Sequence, residues 1–361
     1  MLNLSSDFQI HVHNDHQWRL IDTSSLHQRL VDPITAAIIT ILIGGPQRRS
    51  EIVEALTSES LPAQVILKRI EILLDKGIIS TKPYDDLIEE WDGYGWREAY
   101  EYLKPTWDYP FEDYSKNGQA SDRNRMLEYE AVEPDTVRYL APKGPIAFSL
   151  PTIDQALEFF DSGSHHSAPI DERILNTASI ATLPLEWVPS RTSGSRHMKR
   201  ASPSGGARHP SEVYLLALHT SEIPPGVYQI CIQTEAAHFI NSLPTEADLR
   251  RSLPGAFRLP VRPAAIFVIT SHFYRNMYRY REPRTFRTIY YDAGHLGGLI
   301  EAVTDYGNTI SHGHQGFSDK FLGDLLHCGS LAQESPSYLV AVGERTTTPS
   351  TTIIGKSELA Q

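Results

Sequence analysis

The chain has 361 residues, 40% hydrophobic and 21% charged, which is enough for about two domains with their own cores and unlike a disordered or fibrous composition. Its formal net charge of −11 argues against nucleic acid as a partner, so any phosphate site has to be local. Cys231 and Cys328 are too few for a disulfide framework or a Cys-rich zinc site and point to a reducing cytoplasm, the first residues lack a signal pattern, and the longest apolar run, 36–43, falls short of the ~20 residues a membrane span needs.

In chain order, Phe8, Ile10, Val12, Trp18 and Leu20 alternate as a short strand pair would. Asp32 is placed to cap a helix that opens at Pro33, runs to Ile43 and stops at Gly44-Gly45. A second helix fits Arg49 to Leu56. A third fits Pro62 to Lys76, with Ile66, Ile70, Leu73 and Leu74 on one face, and turns at Gly77 into Ile78-Ile79. Three helices followed by a hairpin-like strand make residues 1–82 a winged-helix-like module. Its third helix sets Lys68, Arg69 and Lys76 against Glu71 and Asp75, so it is close to neutral. That favours docking of a peptide or a second subunit over reading of DNA. Residues 83–144 form an aromatic-rich linker region with Trp91, Trp96 and Trp107. Such density marks either packing onto another domain or a substrate surface. Within it, 94–100 has helical character, and the polar run Asp113 to Arg125 is expected to be a mobile loop.

From residue 145 to the end the pattern is that of an α+β domain. Strand Ile146 to Leu150 is followed by a helix that Thr152 and Gln155 open as a capping box, then by a helix over Glu172 to Leu183. Strands are expected at Val213 to Leu218, Val227 to Gln233 and around Phe239, with a helix capped by Thr245 after them. The unbroken apolar run Ala264 to Thr270 has to lie inside its sheet. A long helix from about Arg287 to Tyr306 aligns Ile289, Ala293, Leu296, Ile300 and Val303. Strand Thr309 to His312, a helix capped by Ser318 and strand Tyr338 to Val342 complete the domain. The Thr-rich tail after Arg345, with Ile353-Ile354, is either an arm around a second subunit or free chain.

Two segments carry chemistry. Lys199 to Tyr214 contains Ser202-Pro-Ser-Gly-Gly206, in which Pro203 fixes a φ angle and Gly205 and Gly206 clear the inside of a turn. Such a loop lets backbone N–H groups approach a flat or anionic ligand, and Lys199, Arg200 and Arg208 around it favour a phosphate-bearing one. The alternative is a surface turn before a strand. The second segment is Tyr278-Arg-Tyr-Arg-Glu-Pro-Arg-Thr-Phe-Arg-Thr-Ile-Tyr-Tyr-Asp-Ala-Gly-His295.

The two blocks, in this order and with the apolar strand 265–270 between them, resemble SagB-type dehydrogenases of the nitroreductase superfamily, above all the branch of peptide-maturation dehydrogenases. The resemblance covers roughly 145–345. It implies an FMN-binding nitroreductase-like domain, a homodimer with the cofactor at the interface, and association with a cyclodehydratase. The implied reaction is oxidation of thiazoline or oxazoline rings to azoles in a modified precursor peptide. It implies that Ser202, Pro203, Ser204, Gly205 and Gly206 line the flavin ring edge, that Lys199 or Arg200 lies near the phosphate, and that Arg345 adds a second cation there. Gly313, in Ser311-His-Gly-His-Gln-Gly316, would pass by the ring. Neither this run nor His327 brings the carboxylates of a metal site, so no metal is expected.

Two departures stand out. The family's Lys-Tyr acid/base pair is here Arg279-Tyr280, and an arginine stays protonated, which leaves Tyr280 as the base. The pair could instead belong to a structural cluster with Glu282. Where the family carries an arginine-rich phosphate motif, this chain has 161–169 with His165 and His166. Arg191 and Arg196 are then the substitutes from elsewhere. Asp292 and His295 would support the site, or His295 could be a buried histidine. A catalytically degenerate scaffold subunit of a peptide-modifying complex is the alternative reading.

Overall fold

The computed structural model describes every residue except 6, 15–16, 24–26, 83–85, 108–112, 114, 134–138, 190–195, 308 and 346–361. The chain divides into two units, Met1–Phe111 and Glu112–Gln361. Among the described residues no helix is long and apolar enough to cross a membrane.

In the first unit, β1 (Asn3–Leu4) precedes an antiparallel sheet of β2 (Phe8–Asn14), β3 (Gln17–Asp22) and β4 (Gln28–Val31), in that order. Then come α1 (Pro33–Ile43), α2 (Arg49–Leu56) and α3 (Ala63–Asp75). The Asp32 carboxylate accepts from Ile34 N and Thr35 N at 3.2 and 3.1 Å, which satisfies two N–H groups that a helix start leaves open. Ile38, Ile39 and Leu42 of α1 meet Ile52 of α2 and Ile66, Ile70 and Leu73 of α3 in one core with Leu20 of the sheet. The strand after the third helix, β5 (Ile79–Ser80), pairs back onto β1, with Asn3 opposite Ser80. Among the described residues it forms no hairpin with a later strand. Two helices follow, α4 (Asp86–Gly93) and α5 (Arg97–Leu103). Trp91 meets Trp96 and Tyr100 edge-on at 6.0 and 5.6 Å, and Tyr100 meets Trp107 at 5.8 Å. These aromatic residues therefore pack on one another within the unit.

The second unit begins with α6 (Gly118–Val132), where the sequence suggested a mobile loop. In order there follow β6 (Ile146–Ser149), α7 (Ile153–Asp161), α8 (Ile170–Thr182), β7 (Glu186–Pro189), β8 (Arg196–Lys199), β9 (Ser211–Ala217), β10 (Gly226–Cys231), β11 (Ala236–Asn241) and α9 (Glu246–Ser252). The unit closes with β12 (Ala265–His272), α10 (Tyr274–Arg279), α11 (Phe286–Tyr306), β13 (Thr309–His314), α12 (Asp319–Leu325) and β14 (Glu334–Glu344). Seven strands form one sheet in the order β13-β14-β12-β9-β10-β11-β6, antiparallel at every pair. The class is α+β.

Both faces of the sheet are covered. Leu215 of β9, Phe267 of β12 and Val340 of β14 face α8 and α11, while Tyr214, Leu216, Val268 and Leu339 face the side of α9 and α12. Every residue of β9 is buried, which explains why these antiparallel strands read as unbroken apolar runs. Each fully buried Leu, Ile or Phe contributes about 1.5–3 kcal/mol, so the middle strands form a rigid base. The candidate site is built at the ends of β8, β9 and β12 and on α10 and α11.

Candidate active site

The chain leaves β8 at Lys199 and reaches β9 at Ser211 through the Gly-rich loop. Gly206, Ala207 and His209 have φ of 60°, 53° and 47°. Left-handed conformations in non-glycine residues cost on the order of 1–3 kcal/mol each and persist only where the surroundings hold them. The surroundings do so from two sides. Ser204 Oγ donates to Asp292 Oδ2 at 2.6 Å, Gly205 N donates to Asp292 Oδ1 at 3.3 Å, and His209 N donates to Ser204 Oγ at 2.8 Å. On the other side Arg275 Nη1 donates to the His209 carbonyl at 2.7 Å, while its Nη2 makes a fully buried ion pair with Glu212. Burial pushes the Asp292 carboxyl up, against the lowering effect of its bonds to Ser204 and Gly205 and of nearby His295. The loop shape is thus held by the protein's own side chains.

Tyr280 follows α10 directly, and its Oη stands so close to Gly206 that a Cβ there would collide with it. The Arg279 guanidinium lies over the Tyr280 ring, 5.2 Å from its centroid, and Nη2 donates to Asp122 Oδ2 of α6 at 2.7 Å. Burial lowers the Arg279 pKa, but bonds to Asp122 and Tyr280 outweigh this and raise it, so the group remains a cation. Glu282 is not its partner: its carboxylate caps the turn Pro283–Thr285, accepting from Thr285 N at 3.0 Å. Beside Tyr280 opens a cleft of about 740 Å³, walled by Phe273, Met277, Pro283, Phe286 and Ile289. Two residue blocks far apart in sequence thus meet at one point, with an apolar cleft next to it.

The expected phosphate cations sit elsewhere. Lys199 is exposed and pairs with Glu186 across the β7–β8 hairpin at 3.2 Å. Arg200 is buried, gives Nη2 to the Ala181 carbonyl at 3.0 Å, and burial brings its pKa down to about 10. Arg208 donates through Nε to the Arg275 carbonyl at 2.6 Å and lies over the Tyr278 ring, so it braces the loop from behind. Arg196 donates to the Trp187 carbonyl at 3.0 Å, and Arg191 lies outside the described residues. Gly313, on edge strand β13, donates its N–H to Glu301 Oε1 at 2.8 Å and has Tyr338 against it. Glu301 is nine residues beyond Asp292 on α11, or about 13 Å along the axis, so Gly313 lies well down the helix from the Gly-rich loop. Arg345 is exposed and donates to the Thr309 carbonyl at 3.2 Å. His165 is buried among Phe160, Tyr306 and the His166 ring, and His295 is exposed, not the buried histidine of the alternative reading. Among the described residues no group of three or more metal-ligating side chains occurs.

Asp122 and Arg275 shape the site although nothing in the sequence marks them, and Glu212 shapes it from within the first block. Asp122 lies 157 residues before the arginine it pins, inside a stretch that reads as polar loop. Glu212 and Arg275 lie inside or beside the two blocks, yet which charges pair is decided by how β9 and α10 come together.

No family model matches the chain. Over 198 residues it is 31% identical to the trifolitoxin-processing protein TfxB of Rhizobium leguminosarum bv. trifolii, a match that covers 50% of this chain and 52% of the relative. The chain therefore spans about half the length of that curated protein. Among solved structures, it is 23% identical to a putative nitroreductase from Anabaena variabilis, covering 62% of this chain and 46% of the other with a TM-score of 0.46. It is 17% identical to a chain of the Escherichia coli microcin synthetase McbBCD complex with truncated pro-MccB17 bound, covering 83% and 98% with a TM-score of 0.38.

Proposed function

We propose that the chain is an FMN-dependent dehydrogenase that oxidises thiazoline or oxazoline rings to azoles in a ribosomally made peptide. The observation that carries this reading is the meeting of Tyr280 with Gly206, which joins the two blocks of the SagB-type pattern at one point beside an apolar cleft. The match to a toxin-processing protein supports a peptide as the substrate. Further parts of the reading are a homodimer, a cyclodehydratase partner, a cytoplasmic location and a winged-helix-like module over 1–82 that docks the peptide.

The loop fits a flat ligand approached by backbone: Gly206 has a left-handed backbone and no room for a side chain, and Ser204 and Gly205 are held by Asp292. Ser202 to Gly206 would line the ring edge of FMN, and the phosphate would fall to Arg196 or Arg345, the expected cations that are exposed and free of an ion pair among the described contacts. FMN, when bound, supplies a two-electron acceptor for the hydride that leaves the azoline ring. The second hydrogen leaves that ring as a proton, which Tyr280 Oη, acting as a phenolate, would take. Arg279, kept cationic and oriented by Asp122, stabilises negative charge on that oxygen. Phe273, Met277 and Phe286 would shelter the ring from water.

The first test is the absorption spectrum of the purified protein before and after adding FMN and desalting. A retained band near ~450 nm is expected, as for any protein-bound flavin, and Tyr280→Phe should keep that band while azole formation falls at least 100-fold. A colourless protein that does not retain added FMN would remove the dehydrogenase reading. It would leave the degenerate scaffold subunit, which the engagement of Lys199 and Arg200 away from a phosphate favours.

A further inference from the structure

The cleft beside Tyr280 measures about 740 Å³. Clefts of roughly 300–1,000 Å³ enclose a drug-sized molecule, so an azoline ring alone would leave most of this one empty. Its wall indicates what else fits. Phe273 and Phe286 stand 6.0 Å apart, Tyr290 meets Phe286 edge-on at 5.2 Å, and Met277 and Phe286 are 55% and 42% exposed, a broad apolar surface next to the Gly-rich loop. The two charged residues of the wall are engaged. Glu282 accepts from Thr285 N at 3.0 Å, and Arg281 donates to the Tyr278 carbonyl at 3.4 Å with its guanidinium 3.8 Å from the centre of the Tyr129 ring. A charged side chain entering here would lose its hydration without meeting an open counter-charge in the described wall, whereas an apolar one gains from burial.

One polar atom of the wall is unmatched. Asn276 is fully buried on α10, one turn before Tyr280, whose N–H donates to the Asn276 carbonyl at 2.8 Å. Thr288 Oγ1 gives its proton to the Thr285 carbonyl at 2.7 Å, so toward Asn276 it can only accept, from Nδ2 at 3.3 Å. That leaves Oδ1 as a buried acceptor with no partner on a residue that lines the cleft. Such an acceptor is costly to leave open, and an N–H brought in by an occupant satisfies it. In an azoline the ring nitrogen has lost its hydrogen and only accepts. The ring carbon that gives up its proton is the former α-carbon, which also carries the carbonyl leading to the N–H of the next residue. We infer that the residue following the ring lies in this cleft, with a bulky apolar side chain against Phe273, Met277 and Phe286 and its amide N–H on Asn276 Oδ1. The inference rests on the azoline reading and adds the sequence context in which the ring is accepted.

The test measures binding to the full chain without turnover, by fluorescence anisotropy of short labelled peptides that carry one finished thiazole and differ in the residue after it. Leucine at that position should bind about tenfold tighter than alanine or lysine. Replacing the amide of that leucine by an ester removes the donor and should weaken binding about fivefold or more. Met277→Glu changes an exposed wall residue and should turn the preference from leucine to lysine. Asn276→Leu should bind the ester and the amide alike; if that variant does not fold, the ester on the wild type decides. The inference is overturned if the wild type binds none of the peptides, ranks leucine, alanine and lysine equally, or holds the ester as tightly as the amide, and equally if Met277→Glu leaves the ranking unchanged. A protein that ranks the peptides as expected but does not retain FMN keeps this subsite and loses the dehydrogenase reading. One that retains FMN and forms azoles whatever residue follows the ring loses the subsite alone.

Discussion

At Gly206 two demands coincide: the backbone is left-handed, and the space where a Cβ would project is filled by Tyr280 Oη. Gly205, next in the loop, has an ordinary φ, and a Cβ there would rest 3.7 Å from Thr288 in normal contact. Gly206→Ala should therefore lower stability by about 1–2 kcal/mol and displace Tyr280, whereas Gly205→Ala should cost well under half of that. Thermal denaturation of the two variants side by side checks the difference. A second residue gives a pH effect. Burial, with Glu334 nearby, pushes the Cys328 thiol up to about 12, while Lys143 pulls the other way. The unfolded thiol loses its proton from pH 9 upward and the folded one does not, so stability is fully present below that pH and falls as pH rises toward the folded value. The contribution is at most about 1.4 kcal/mol per pH unit. Urea midpoints at pH 9 and 10 should fall for the wild type and fall less for Cys328→Ala.

Two helices from different parts of the second unit clamp the Gly-rich loop, α11 through Asp292 and α10 through Arg275. The clamps differ in kind. Glu212→Gln would leave the fully buried Arg275 without its counter-charge, and loss of one partner from a buried pair costs about 3–5 kcal/mol. Asp292→Ala removes two hydrogen bonds from the loop tip itself. It should weaken FMN retention about tenfold or more while the melting temperature falls less than for Glu212→Gln. Flavin titration and a thermal melt on each variant separate the two. The helix α6 shows how an element can be missed. It buries little beyond Gly118 and Met126, so its sequence lacks an apolar stripe, and it is held instead by polar pairs. These are Asp122 with Arg279, Tyr129 under Arg281 at 3.8 Å, and Glu133 with Tyr274 and Tyr278. Asp122→Ala should reduce turnover more than Asp122→Glu, because only the latter can still pin Arg279.

Each of the two units has a core of its own, one around Ile39 and Leu42 and one on each face of the seven-stranded sheet. Separate cores predict separate unfolding. Calorimetry should show two transitions, with Ile39→Ala lowering one and Val268→Ala the other, each by about 2–5 kcal/mol of stability in its own unit. If either substitution moves both transitions equally, the units do not unfold independently.

Much of this molecule is legible in one dimension. Asp32, Thr152, Thr245 and Ser318 each start a helix, because a side-chain oxygen and the N–H groups it accepts from lie within three residues of one another. The apolar runs of β9 and β12 announce strands buried on both faces, and the Gly-rich loop announces itself by the absence of side chains. What the sequence leaves open are relations between segments that only the folded chain brings together. Tyr280 reaches Gly206 from 74 positions away, since β9 and β12 are neighbours in the sheet. Whether a basic residue beside the loop faces a ligand or the interior depends on its register at a strand end. Lys199 turns out to solvent and Glu186, while Arg200 turns in to carbonyl oxygens. A local code of caps and periodicity fixes elements, but the partners of long charged side chains are chosen by packing, and tertiary structure alone decides that.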